Sequence, residues 1–278
     1  MSFRLWVNLA LALAVAALAW LVFFKPEPID ASKHKLSTLS ASSIKEISIA
    51  PAQRPRVVLV KHGSNWFVTE PFAARADAAR VDSLLGLLSA ESGQRFAAQD
   101  LARFELDHPL ASIKIGAQEF SFGGVHPLSN QLYVLTQCAV YLISPVYFVD
   151  VAKQPTDYAA KQLLDAGENP VGFEFATFKL TRTDGKWKRE PADATLSQDD
   201  ANKFADEWRH AQAIAVSQPR AFKATEHITL RFASGKTLKL QAAQQEQEWV
   251  VLREDEKLAY HFTLDAARRL RELNKRKP

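Results

Sequence analysis

The sequence predicts an α+β protein: an N-terminal transmembrane helix followed by two tandem repeats of a β-rich module. Each module is expected to hold antiparallel strands, one main packed helix and a short C-terminal helix. Three observations carry this reading. Residues 5–24 form a 20-residue apolar run whose only polar side chain is Asn8. Beyond it, strand, turn and helix signals occur twice in the same order, about 120 residues apart, which marks a duplicated structural unit. Within each copy the strands are separated by hairpin-type turns, which favours antiparallel pairing.

At 1.5 Å per residue the apolar run spans roughly the 30 Å of a bilayer's hydrocarbon core. Trp6 and Trp20 stand near its two ends, where amphipathic rings prefer the headgroup region. Ala17, Leu18 and Ala19 have the small-x-small form of a cleavage site, so a cleaved signal peptide is the competing reading. An uncleaved anchor is expected, because cleavage there would leave Trp20, Leu21, Val22, Phe23 and Phe24 as an apolar N-terminus. Lys25, Lys33 and Lys35 outnumber Arg4, which argues against export, yet long domains cross largely regardless of such local charge. The expected layout is a cytoplasmic head at 1–4, an anchor in the lipid bilayer at 5–24 and a stalk at 25–43. The repeats follow at 44–166 and 167–278, the second ending in a basic tail.

In the first repeat, apolar strands at 57–61 and 66–68 flank His62, Gly63, Ser64 and Asn65, and Pro71 ends the second strand. In the second, 178–182 and 187–189 flank Asp184 and Gly185, and Pro191 ends the strand. A helix follows each proline. One starts at Asp77 as N-cap and carries Ala78, Val81, Leu84, Leu85 and Leu88 on one face. The other starts at Ser197, with Asp200 three residues on, and carries Ala201, Phe204, Ala205, Trp208 and Ala211. Further strands are marked by Ile113, Ile115, Phe120 and Phe122, and by Ile228, Leu230, Phe232, Leu238 and Leu240. Aromatic-led strands at 133–136 and 249–252 come next. The last strand of each copy (141–143, 260–262) runs into a helix capped by Ser144, with Pro145 at its first position, or by Thr263. Gly167 and Pro170 break a helical stretch expected from Asp157 and so join the copies. Trp66 and Trp187, at matching places, are expected to pack each helix on its sheet.

Composition excludes several classes. The net charge of +4 arises wholly in residues 265–278, where six bases face two acids, so no basic stripe tracks a phosphate backbone and no nucleic-acid partner is expected. The tail reads as a solvated helix end whose cations complement the C-terminal dipole. The single cysteine, Cys138, in an apolar stretch and expected to be buried, rules out an internal disulfide and cysteine-rich zinc patterns.

Trp66 with Pro71, Asp77 heading an apolar helix, the run Phe104-Glu105-Leu106-Asp107-His108-Pro109, and the strand into Gly123 with Tyr133 and Val134 together resemble the bacterial domain of unknown function numbered 4340. The likeness extends from about Ile44 onward, and the segment from Trp187 to Pro191 repeats part of it. It implies membrane-anchored or exported bacterial proteins of no assigned chemistry, some found beside genes of gliding-motility-like ABC transport systems. The second copy departs from the pattern, with Gln241, Ala242 and Ala243 where the first has Gly123 and Gly124.

The search for chemistry yields one loop. Gly123 and Gly124 would let backbone approach a ligand closely, and His126, Ser129 and Asn130 could hydrogen-bond it. Asp206 and Glu207 precede His210 on a helix but lack a third metal ligand. Ser42 to Lys45 matches Ser-x-x-Lys without its companion motifs. Gly235, Lys236 and Thr237 lack the earlier glycine of a phosphate loop. Glu246 with Glu248, and Glu254, Asp255 and Glu256, fall at turns where carboxylates are hydrated. No catalytic, metal-binding or cofactor-binding residue is expected. The reading is a non-catalytic protein of the bacterial inner membrane with its soluble part in the periplasm. It would serve as accessory or scaffold to an inner-membrane or envelope protein partner, and the family resemblance implies a complex of the ABC-transport kind. The alternative is a periplasmic ligand- or cell-wall-binding module using the 123–130 loop, and the third reading is a hydrolase.

Overall fold

The computed structural model describes residues 33–273 except 220, together with Trp6, Leu13 and Val15. Apart from those three residues, the expected anchor at 5–24 lies outside the described residues, as do the stalk up to 32 and the tail from 274. Among the described residues no helix is long and apolar enough to cross a membrane.

The chain is a mixed α+β structure in which antiparallel strands build two large sheets carrying a few helices. Its first half runs β1 (His34–Lys35), β2 (Glu46–Pro51), β3 (Val57–His62), β4 (Asn65–Glu70), β5 (Ala74–Arg75), α1 (Ala78–Leu85), β6 (Glu91–Ser92), β7 (Arg95–Ala97), β8 (Ala111–Ile115), β9 (Gln118–Val125), β10 (Leu132–Thr136), β11 (Ala139–Ile143) and α2 (Val146–Val149). The second half runs β12 (Pro170–Glu174), β13 (Lys179–Thr183), β14 (Lys186–Glu190), α3 (Gln198–Arg209), β15 (Ala215–Ser217), β16 (Glu226–Phe232), β17 (Thr237–Gln245), β18 (Glu248–Arg253), β19 (Leu258–Thr263) and α4 (Leu264–Arg271).

The first sheet has the order β5-β4-β3-β2-β8-β9-β10-β11-β7 and the second β14-β13-β12-β16-β17-β18-β19-β15. With the two-residue β5 set aside, the orders agree strand for strand. The hairpin turns use the residues that tolerate left-handed backbone: Gly63 between β3 and β4, and Asp184 with Gly185 between β13 and β14. Asp77 caps α1 by accepting hydrogen bonds from the N–H groups of Ala79 and Arg80, and Ser197 caps α3 through the Asp200 N–H. Of the predicted faces, α1 buries Val81 and Leu84 but leaves Ala78 exposed and Leu85 half-buried, with Leu88 buried in the 3₁₀ turn Gly86–Ser89 that follows, and α3 buries Ala201, Phe204, Ala205 and Trp208. Trp187 is buried and donates its indole N–H to Asn202 of α3, while the half-buried Trp66 packs on the first core.

Four expectations are corrected. The stretch assigned to the stalk is packed from His34 onward: β1 pairs with β6, Leu36 is fully buried, and the Gln118 amide donates to the Leu36 carbonyl at 2.7 Å. Apolar contact held those residues to the first sheet, which their polar neighbours concealed. Cys138 is exposed, since with Gln137 it forms the tight β10–β11 turn at positive φ. Ser144 lies one residue outside the cap position of α2, which Pro145 occupies. The helical stretch from Asp157 is a single 3₁₀ turn, Pro155–Tyr158, followed by extended chain.

That extended chain joins the two halves. Ala76 bridges to Ala159 and Gln162 to Gln212. Ala160 N–H donates to the Arg75 carbonyl at 2.8 Å, and Leu163 N–H to the Ala211 carbonyl at 2.9 Å. Ala74, from the first half, is buried in the second core, Tyr158 lies in the first, and Phe72 packs against both.

Candidate functional site

The structure places Gly123, Gly124, His126, Ser129 and Asn130 together, at the end of β9 and the turn leading to β10. Both glycines are buried, and their openness is used by the chain itself. A Cβ on Gly123 would lie 2.3 Å from the Phe104 carbonyl oxygen, and one on Gly124 would lie 2.7 Å from the Glu105 carboxyl carbon. The segment between β7 and β8 therefore lies against β9 where the alternative, ligand-contact reading would put a ligand. It brings Phe104 and Leu106 onto Val140 as a small separate core. The polar groups of the loop are engaged with one another. His126 Nδ1 accepts from the N–H groups of Leu128 (3.3 Å) and Ser129 (3.2 Å) and lies 3.1 Å from Ser129 Oγ. His126 N–H donates to the Gln131 carbonyl, and Asn130, at positive φ, donates its N–H back to the His126 carbonyl. His108 stands exposed elsewhere in the same crossing segment.

The remaining sequence candidates fall into ordinary surface pairs. His210 Nδ1 lies 2.9 Å from the Asp206 carbonyl, Asp206 pairs with Arg209, and Glu207 pairs with Arg269. Among the described residues no three His, Cys, Asp or Glu side chains are grouped to hold a metal. Gly235 forms the β16–β17 turn at positive φ, with Lys236 paired to Asp165 and Glu168. The tail cations Arg268, Arg269 and Arg271 are held in ion pairs with Asp265, Glu207 and Glu226.

Among the described residues the densest polar cluster is one that sequence reasoning missed, because it treated Glu254, Asp255 and Glu256 alike as hydrated turn residues. Arg75 donates from Nε to Glu256 at 2.7 Å, from Nη1 to Asp165 at 2.9 Å, and from Nη2 to the Gln162 carbonyl at 2.9 Å and Tyr260 Oη at 3.0 Å. The Tyr260 hydroxyl donates to Glu256. Arg253, only 2% exposed, donates to Asp255 at 2.8 Å and to the Leu163 carbonyl at 2.7 Å. Glu256 is 9% exposed against 45% for Asp255, so adjacent carboxylates of one turn meet opposite fates.

The electrostatics follow from that geometry. Burial and the neighbouring Glu256 charge push the Tyr260 hydroxyl well above its ordinary value, keeping it a neutral donor. Burial alone would raise the Asp165 carboxyl, but the Arg75 and Arg253 charges outweigh it and hold the group below the usual carboxylate range. Burial opposes the charge on Arg253, and the bond to Asp255 with the surrounding carboxylates more than restores it. Chemically the cluster is a clamp: its guanidinium and carboxylate groups face each other across the seam. No sequence signal marks it, since Arg75 lies among alanines, 87 residues before Gln162 and 181 before Glu256.

Residues 66–274 match the family model described as Domain of unknown function (DUF4340). The chain belongs to that family. The match covers most of both sheets and begins at Trp66, so β2 and β3 fall outside it and the likeness expected from Ile44 is shorter by two strands. No curated protein and no solved structure matches the chain.

Proposed function

We propose that this DUF4340 protein is a single-pass accessory or scaffold protein of the bacterial inner membrane, holding an envelope partner without chemistry upon it. In this reading residues 5–24 are the anchor, the stalk ends near residue 33, and two tandem copies of one α+β module stand in the periplasm. The observation that carries it is the clamp at the seam. Arg75 of the first sheet is bound to Glu256 and Tyr260 of the second, and Arg253, 2% exposed, holds the same turn to the linker, which supports a two-sheet platform rather than a cleft that opens. Agreement of the two strand orders supports duplication of the module. The ABC-transport character of the complex rests on the family resemblance. The 123–130 loop gains no support as a ligand site, since its donors and acceptors bond one another.

Cross-linking of the full chain in native membranes, followed by carbonate washing, tests the proposal. The protein should stay in the membrane pellet, be reached by protease added to spheroplasts, and trap one specific envelope or integral-membrane protein. Removal of 5–24 should abolish function while the remainder still folds, and joint substitution of His108, His126 and His210 should leave function intact. Release by the wash, protection from protease, or loss of function in the triple variant would overturn it.

A further inference from the structure

The second sheet turns Trp249, Val251, Tyr260, Phe262 and Val216 into its helix-covered core. Strand alternation therefore sends Glu248, His261 and Ser217 to the opposite face. There the three side chains, from the adjacent strands β18, β19 and β15, form a linear relay. Ser217 Oγ lies 2.8 Å from His261 Nε2, and His261 Nδ1 lies 2.8 Å from Glu248 Oε2. A carboxylate that accepts the Nδ1 proton leaves Nε2 as an acceptor aimed at the serine hydroxyl.

The strand framework does not demand this trio. Tyr141 in β11 occupies the place of Tyr260 in β19, pairing with Arg95 where Tyr260 pairs with Val216. The residues matching Ser217, His261 and Glu248 are then Phe96, Leu142 and Gln131, which form no such chain. Phe96 instead packs on Phe104 and Tyr133. The relay belongs to the second half alone.

Its cross-strand neighbours are small and apolar. Ala215 and Val250 stand directly opposite His261 on either side, and Ala259 stands opposite Ser217. β15 is the end strand of its sheet, and the 3₁₀ turn Pro155–Tyr158 lies beside it.

We propose that Ser217 is an acyl-accepting nucleophile with His261 as its general base and Glu248 as the positioning residue, acting on carboxylic esters with short apolar acyl groups. Ser217 Oγ bonds to the ester carbonyl carbon as its proton passes to His261 Nε2. The bond from that carbon to the alcohol oxygen breaks, and the alcohol leaves with the proton. Water then bonds to the acyl carbon and gives a proton to His261, the bond to Ser217 Oγ breaks, and the serine regains its proton as the carboxylic acid departs. This activity goes beyond the scaffold reading and does not depend on it.

The test uses the full chain in detergent, a fluorophosphonate probe and p-nitrophenyl butyrate. The folded wild-type chain should carry the phosphonyl adduct on the peptide containing Ser217, and Ser217→Ala should carry none. His261→Gln should slow both labelling and ester turnover by about 100-fold or more. Glu248→Gln should lower kcat with little change in KM, and Glu248→Asp should recover part of the rate. Absence of the adduct from the folded wild-type chain, which needs no variant to interpret, overturns the proposal. So does labelling of folded His261→Gln at the wild-type rate, as expected if the trio only ties strands together. Either failure leaves the membrane cross-linking result untouched.

Discussion

Replacing Arg75 by alanine should remove about 3 kcal/mol from the unfolding free energy, the lower end of the range for deleting one partner of a buried ion pair. The magnitude follows from what the guanidinium touches. Its side chain is 17% exposed and contacts Glu256, Asp165, Tyr260 and the Gln162 carbonyl. Without it, Glu256 keeps the Tyr260 hydroxyl, the main-chain N–H of residue 75 at 3.4 Å and an approach from Arg253 at 3.7 Å. The residual cation softens the loss, which is why the lower end applies. Urea denaturation followed by tryptophan fluorescence reads the change directly. A double-mutant cycle with Glu256→Gln isolates the pair, and the coupling should be about 1 to 3 kcal/mol. A loss under about 1 kcal/mol, the worth of an exposed surface pair, would refute the view that this seam is a dry clamp. Additive single effects would refute it equally.

Three further outcomes are expected. Leu84→Ala and Phe204→Ala, at sites 2% and 3% exposed, should each cost about 2 to 5 kcal/mol by equilibrium denaturation, because each empties a filled core position. The depressed Asp165 and Asp255 carboxyls contribute stability that is fully present above the unfolded carboxylate value of about 4 and is lost as pH falls through their lower folded values. The raised Tyr260 hydroxyl works in the other direction, contributing fully below about pH 10 and losing its contribution at higher pH. A denaturation series across pH should therefore fall at both ends, with Asp165→Asn flattening the acid limb and Tyr260→Phe the alkaline one. Gly123→Ala should destabilise the fold by about 1 to 3 kcal/mol, because its methyl group meets the Phe104 carbonyl rather than an open site. A Gly123→Ala chain as stable as wild type would restore the ligand reading of that loop.

What the sequence determined by itself is whatever depends on near neighbours. Helix periodicity placed Val81, Leu84, Phe204 and Trp208 inside, Asp77 and Ser197 announced the helix starts, and Gly63 and Gly185 marked turns that need left-handed backbone. Family membership was legible for the same reason, since it rests on the order of such local signals. The tertiary structure decided everything that joins distant residues. Whether Gly123 faces a ligand or the Phe104 carbonyl depends on the path of the chain between β7 and β8, which no spacing encodes. Glu256 differs from Asp255 because Arg75, 181 residues away, closes over one of them together with Tyr260. Ser217, His261 and Glu248 are separated by ordinary sequence and meet only because strand order and register set their side chains on one face. Contacts of this kind form when folding closes long loops of chain, and a hydrogen bond's partner is fixed by that closure, not by the residues beside it in sequence.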